Sequence, residues 1–215
     1  MRAPQPEGTR GSLKWMQRAV AQHPDLLRPP GMASLDWRSP LAEDDHAEYR
    51  DASFLDRLGL GAHREALAAF WPTRGPQWDG LALGPDGAVI LAEAKAHVRE
   101  FLSPPSAASE KSRGKIDAAF AAVRGDLDVT TRTDWCEVFY QYANRLAHLW
   151  FLRREGVDAH LLLVGFLGDA DMGGPRTAEA WRAAYLCADH ALGLRHGHAL
   201  RPFIHHVYPE VATLT

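Results

Sequence analysis

Lysine is nearly missing from this sequence: of 24 cationic residues only four are Lys, at positions 14, 95, 111 and 115. Generic positive charge is written as arginine, so each lysine marks a place where a compact point charge suits better than a planar fork. Cysteine is almost as scarce. Cys136 and Cys187 lie in apolar, helix-like segments, which excludes a disulfide-built fold and predicts two buried free thiols. No apolar run approaches the ~20 residues that span a bilayer, and the first residues lack the apolar stretch of a secretory leader. The expectation is a cytoplasmic protein with no membrane partner. With a net charge of −3 the molecule as a whole has no field to draw it onto nucleic acid, so such binding needs a local basic patch.

What is present fits one globular domain, or one with an appendage: 215 residues, 46% hydrophobic and 24% charged. Charge is unevenly distributed. Residues 36–57 carry seven acids against three arginines, and residues 95–124 carry six cations against three acids. Residues 1–61 read as a proline-rich, peripheral arm with a short helix over 13–20, followed by an acidic helical segment over 41–60. Residues 62–215 read as the main domain. Within it the pattern predicts a helix over 62–71, a hairpin with strands at 77–83 and 88–95, and a helix over 107–123. A long helix over 135–154 capped by Asp134, a buried strand over 157–167, a helix over 178–192 and a last strand near 200–208 follow.

Glu93 and Lys95 sit two apart in the second hairpin strand and so leave the same face of the sheet. Their neighbours Val89, Ile90, Leu91, Ala92 and Ala94 have the texture of an interior strand, where an unpaired charge costs several kcal/mol. The hairpin turn brings Asp79 roughly opposite residues 92–94, so two carboxylates and an ammonium can converge. Such hard oxygens suit Mg²⁺ or Mn²⁺. Spacing alone allows a plainer outcome, a strand-end salt bridge of Lys95 with Glu93 or Asp79.

Asp79, then Glu93-Ala94-Lys95 fourteen residues on, with a helix before and another after, resembles the PD-(D/E)XK nuclease superfamily over residues 62–168. Phe70-Trp71-Pro72, Arg74-Gly75-Pro76-Gln77-Trp78-Asp79 and Tyr140-Gln141-Tyr142-Ala143-Asn144-Arg145-Leu146-Ala147 are similar to a poorly characterised bacterial group within it. The resemblance implies an α/β, restriction-endonuclease-like core with a central mixed sheet flanked by helices, and a metal-dependent nuclease acting on DNA before RNA. It implies metal on Asp79 and Glu93, with Lys95 beside the attacking water. A further carboxylate on the helix before the sheet falls to Glu65, with Glu48 next. Two features depart from the pattern: Trp78 stands before the first acid, and one strand rather than two is legible ahead of the Glu93 strand.

Candidate substrate contacts are Arg74 and Gln77 on the approach to Asp79. Lys111, Arg113 and Lys115 gather at a helix N-terminus, a favourable place for phosphate. Gln141 and Arg145 belong to a polar stripe with Asn144 and His148 on the long helix. The two helical groups each have the alternative of a solvated helix face. Two rivals to the nuclease remain: a catalytically inactive nuclease-fold protein serving as a binding or scaffold module, and a hydrolase centred on the histidines of the C-terminal third. Nothing in the pattern indicates a homo-oligomer.

Overall fold

The computed structural model describes all 215 residues, and its centre is a five-stranded sheet. The strands are β1 (Arg2–Ala3), β2 (Asp36–Ser39), β3 (Glu48–Tyr49), β4 (Gly80–Leu83), β5 (Val89–Lys95), β6 (Ala159–Gly165) and β7 (Ile204–Val207). The helices are α1 (Gly11–Gln22), α2 (Ala52–Arg57), α3 (Arg64–Phe70), α4 (Val98–Phe101), α5 (Glu110–Asp126), α6 (Tyr140–Arg154) and α7 (Ala178–Leu192). Strand order in the sheet is β2-β4-β5-β6-β7, while β1 and β3 form a separate two-stranded ribbon. Pairs β2/β4 and β4/β5 are antiparallel, β5/β6 and β6/β7 parallel. The protein is therefore an α/β fold with a mixed central sheet flanked by helices.

Alternation along the inner strands fixes which residues face which layer. Val89 and Leu91 of β5 join Leu161 and Leu163 of β6 in the larger core, with side chains from α2, α3, α5, α6 and α7. Ile90, Ala92 and Ala94 join Leu162 and Val164 in a smaller core beneath α1. The connections between parallel strands run through helices, as crossovers require. No helix is long and apolar enough to cross a membrane.

The first 61 residues differ from the arm expected of them. Their strand β2 pairs with β4 at the sheet edge, and Trp15 and Met16 of α1 are buried against the sheet's second face. The expected helix over 41–60 is absent. Asp45, His46 and Asp51 have φ of 51°, 48° and 54°, a left-handed conformation that breaks a right-handed helix, and the segment splits into a short turn, β3 and α2. The long helix starts at Tyr140 instead of Trp135, because Phe139 is left-handed with φ 50°. Cys136 is buried as expected, whereas Cys187 is exposed on α7.

Close packing over the end of β6 leaves no room for a side chain there. A Cβ on Gly165 would lie 2.7 Å from Trp181 Cγ and Cδ1, and the buried Trp181 indole donates to Phe166 O at 3.1 Å. Gly165→Ala is expected to cost about 1–3 kcal/mol by overpacking, seen as a melting temperature several degrees lower. An unchanged melting temperature would show that this indole can move.

Candidate active site

Four side chains from three parts of the chain meet where β4 and β5 emerge on the face covered by α6. Gly80 is paired with Ala92, so Asp79, just before β4, falls beside Glu93. The Ala94 N–H donates to Asp79 Oδ2 at 2.7 Å. Lys95 pairs with Glu93, and β3 brings in Glu48. These four share a polar cavity of about 390 Å³ with Arg74 and Gln77 at its mouth, and Gln141, Asn144 and Arg145 of α6 form its far wall.

Arg145 is the organising side chain. Its Nε donates to Glu93 Oε2 at 2.6 Å, its Nη2 to Gln77 O at 2.8 Å, and its Nη1 to Asn144 Oδ1 at 2.8 Å. Glu93 and Arg145 are both only 7% exposed. The guanidinium also lies over the Trp78 ring, 4.9 Å from its centroid. That contact gives a physical account of tryptophan at this position: a π face for a buried cation, on a residue whose backbone N–H donates to Tyr49 O at 3.1 Å.

Burial and charge divide the carboxylates. Burial pushes Asp79 well above the usual carboxylate range, and the negative charges of Glu93 and Glu48 push it further. Glu48 is raised by burial, with Glu93 adding to it, although the Gln77 amide donates to Glu48 Oε2 at 2.6 Å. Burial alone would raise Glu93 too, but Arg145 and Lys95 more than offset it and hold its pKa below normal. Burial would lower Lys95, yet Glu93 and Asp79 hold it above the ordinary lysine value. Lys95 is thus a fixed ammonium, suited to stabilising negative charge and not to accepting a proton.

The residues fit a hard divalent cation in donor chemistry. Three carboxylates open on one cavity, Asp79 keeps one oxygen with no protein partner, and a bound cation would offset both the burial and the Glu93 charge that raise Asp79 and Glu48. Both Glu93 oxygens are engaged, one by Lys95 and one by Arg145, so Glu93 would serve a metal only by sharing or exchanging a partner. The one set of three ligand atoms within 4.8 Å of each other lies elsewhere, at Asp117, Asp134 and Cys136. Arg113 fills that set, pairing with Asp117 at 3.0 Å and Asp134 at 2.5 Å. The eleven histidines form no such group.

Several sequence-derived contacts lie away from the cleft. Glu65 is exposed on α3, half a turn from the buried Leu67 and so facing outward; Glu48 supplies the third carboxylate. Arg113 is committed to Asp117, Asp134 and Glu137, Lys115 reaches the carbonyl of Ala68, and Lys111 is exposed without lining the cavity. What the start of α5 does offer is its cap Ser109 and Ser112, lining a neighbouring cavity of about 710 Å³ that shares Arg74 and Tyr140 with the cleft. Gln77 lines the cleft, but its amide is bonded to Glu48.

His148, the last of the polar stripe, turns away from the cavity into an aromatic cage, with ring centroids 4.8 Å from Trp71 and 6.2 Å from Trp78. Its Nδ1 is 2.8 Å from Asn144 O, and burial lowers its pKa to about 3. The unfolded chain therefore binds a proton that the folded one refuses. Stability from this group is level above the ordinary histidine value of about 6.5, then falls as pH drops toward 3. A His148→Phe variant is expected to flatten that part of the stability–pH curve; an identical slope in both proteins would assign it to other groups.

Comparison with protein-family models, curated proteins and solved structures gives no significant match.

Proposed function

We propose that the cleft is the active site of a divalent-metal-dependent nuclease on a restriction-endonuclease-like core, hydrolysing phosphodiesters in DNA before RNA, with Mg²⁺ or Mn²⁺ as cofactor. The observation that carries this reading is one open cavity shared by Glu48, Asp79, Glu93 and the Lys95 ammonium, in which burial and the Glu93 charge raise Asp79 and Glu48. Asp79 and Glu93 hold the ion, with Glu48 within the same cavity. When bound, the cation supplies Lewis-acid polarisation of a phosphate oxygen and a water of lowered pKa.

The chain's own groups do the rest. Lys95 places a permanent positive charge where negative charge develops on the phosphoryl oxygens. Arg145 fixes the Glu93 carboxylate through a buried pair, so its orientation is set before substrate arrives. Arg74, exposed at the mouth, is free to meet a backbone phosphate, and the hydroxyls of Ser109 and Ser112 extend a polar path beyond it. The test is cleavage of single-stranded, double-stranded and branched DNA and of RNA in Mn²⁺ by wild type and Lys95→Ala. Equal activity in the two proteins refutes the assignment.

A second reading is favoured by one observation: both Glu93 oxygens are tied to cations within the protein. In that reading the pair is permanent, no ion enters, and the fold serves as a binding or scaffold module. The two readings separate on whether a divalent ion stabilises the protein.

A further inference from the structure

On the same face of the sheet but two strands away, a second cavity of about 350 Å³ opens between α7, the turn that follows it and β7. The volume is at the lower end of small-molecule sites. Register separates it from the cleft: Glu93 is paired with Leu163, and Leu163 with His206. Tyr185 closes the wall between, 4.8 Å from the His206 ring and 5.5 Å from Tyr142.

Its charge is unbalanced. Arg201 is half-buried and lines the cavity, and its guanidinium makes no hydrogen bond or ion pair in the protein, so its fork of donors is open to a ligand. Arg182 pairs with one acid, Glu179, through a pair exposed at 61% and 76%, which binds weakly in water. His190 and His196 add two exposed rings. Against these stands one acid, Asp189, whose Oδ1 already accepts from the Tyr142 hydroxyl at 2.8 Å.

The other lining is flat and apolar. The rings of His206 and Tyr208 are stacked at 6.2 Å and 21°, Arg182 lies over the Tyr208 ring at 5.3 Å, and Leu186 is 69% exposed. His206 Nδ1 is buried with no hydrogen-bond partner. One guanidinium with no partner in the protein and a second held only by an exposed pair, beside an exposed leucine and stacked rings, call for an anion with an apolar body.

We propose that this cavity binds a small organic anion, a phosphate or carboxylate carried on a planar ring. The anionic group pairs with Arg201 and Arg182 while the ring lies against Tyr208 and Leu186. The inference is independent of the nuclease reading, because none of its residues lines the cleft.

Calorimetric titration in EDTA with AMP, benzoate, inorganic phosphate and adenosine tests it, the chelator removing any contribution from an ion at Asp79. AMP or benzoate is expected to bind, adenosine not to bind, and inorganic phosphate to bind more weakly than AMP. Tighter AMP marks a phosphate site and tighter benzoate a carboxylate site. Arg201→Gln is expected to weaken binding about tenfold or more, and Lys95→Ala to leave it unchanged. Because the Arg201 side chain makes no bond in the fold, the variant is expected to remain folded; His196→Ala, at an exposed position, is the second variant and is expected to weaken binding too. No binding by either organic anion, equal binding of inorganic phosphate, or unaltered affinity in both variants overturns the proposal.

Discussion

Arg145→Ala is expected to destabilise the protein by about 3–5 kcal/mol, the cost of stripping one partner from a buried ion pair. The change leaves Glu93 with Lys95 alone and leaves Gln77 O and Asn144 Oδ1 without their donor. It also uncovers the Trp78 face. Urea unfolding should show a lower midpoint with an unchanged slope. Acid behaviour supplies a second check. Because Glu93 is held below its ordinary pKa in the fold, its contribution is complete above about 4.3 and is lost as pH falls through the depressed value. In Arg145→Ala that acid-side loss should shrink. A fall under 1 kcal/mol would mean that the pair contributes little beyond its own desolvation.

Lys95→Ala is the change expected to cost most in activity: about a 10²- to 10³-fold lower kcat, the scale seen when one preorganised donor to a developing charge is removed. KM should move far less, since the ammonium sits deep in the cavity and not at its mouth. Lys95→Arg is not a rescue. A fork in place of a point charge would compete with Arg145 for Glu93 and crowd the 390 Å³ cavity. Single-turnover cleavage separates the chemical step from binding in both variants. A Lys95→Ala protein with wild-type kcat would remove the lysine from the chemistry.

The parts legible in the sequence were those whose local chemistry decides their structure. Gly84-Pro85-Asp86-Gly87 turns because Asp86 and Gly87 take φ of 59° and 82°, so the β4/β5 hairpin and the register that sets Asp79 beside Glu93 could be read in advance. The apolar run of β6 and the periodic face of α7 were readable for the same reason. Scarcity of lysine singled out Lys95. What could not be read depended on tertiary partners. β2 is only four residues long and lies in a proline-rich stretch, and it is a strand because β4 is beside it. Glu48 stood second to Glu65 as the further carboxylate, because the helical pattern around it gave no sign that left-handed residues on either side would turn it into a ribbon. Arg145 was visible as part of a polar stripe, but a stripe does not say whether an arginine faces a substrate phosphate or closes on a carboxylate inside. Lys111, Arg113 and Lys115 gave the opposite lesson. They cluster in sequence, yet Arg113 is consumed by three acids and none of the three lines the cleft.

The most direct measurement is thermal melting against rising Mg²⁺ and Mn²⁺ in wild type and Asp79→Asn. Ion binding to the fold should stabilise wild type by about 2.7 kcal/mol at a hundredfold excess over Kd. Asp79→Asn, relieved of a carboxylate that burial and its neighbours oppose, should melt at or above wild type without ion and show no response when ion is added. An unresponsive wild type, or equal shifts in both proteins, would contradict a metal site at Asp79 and Glu93.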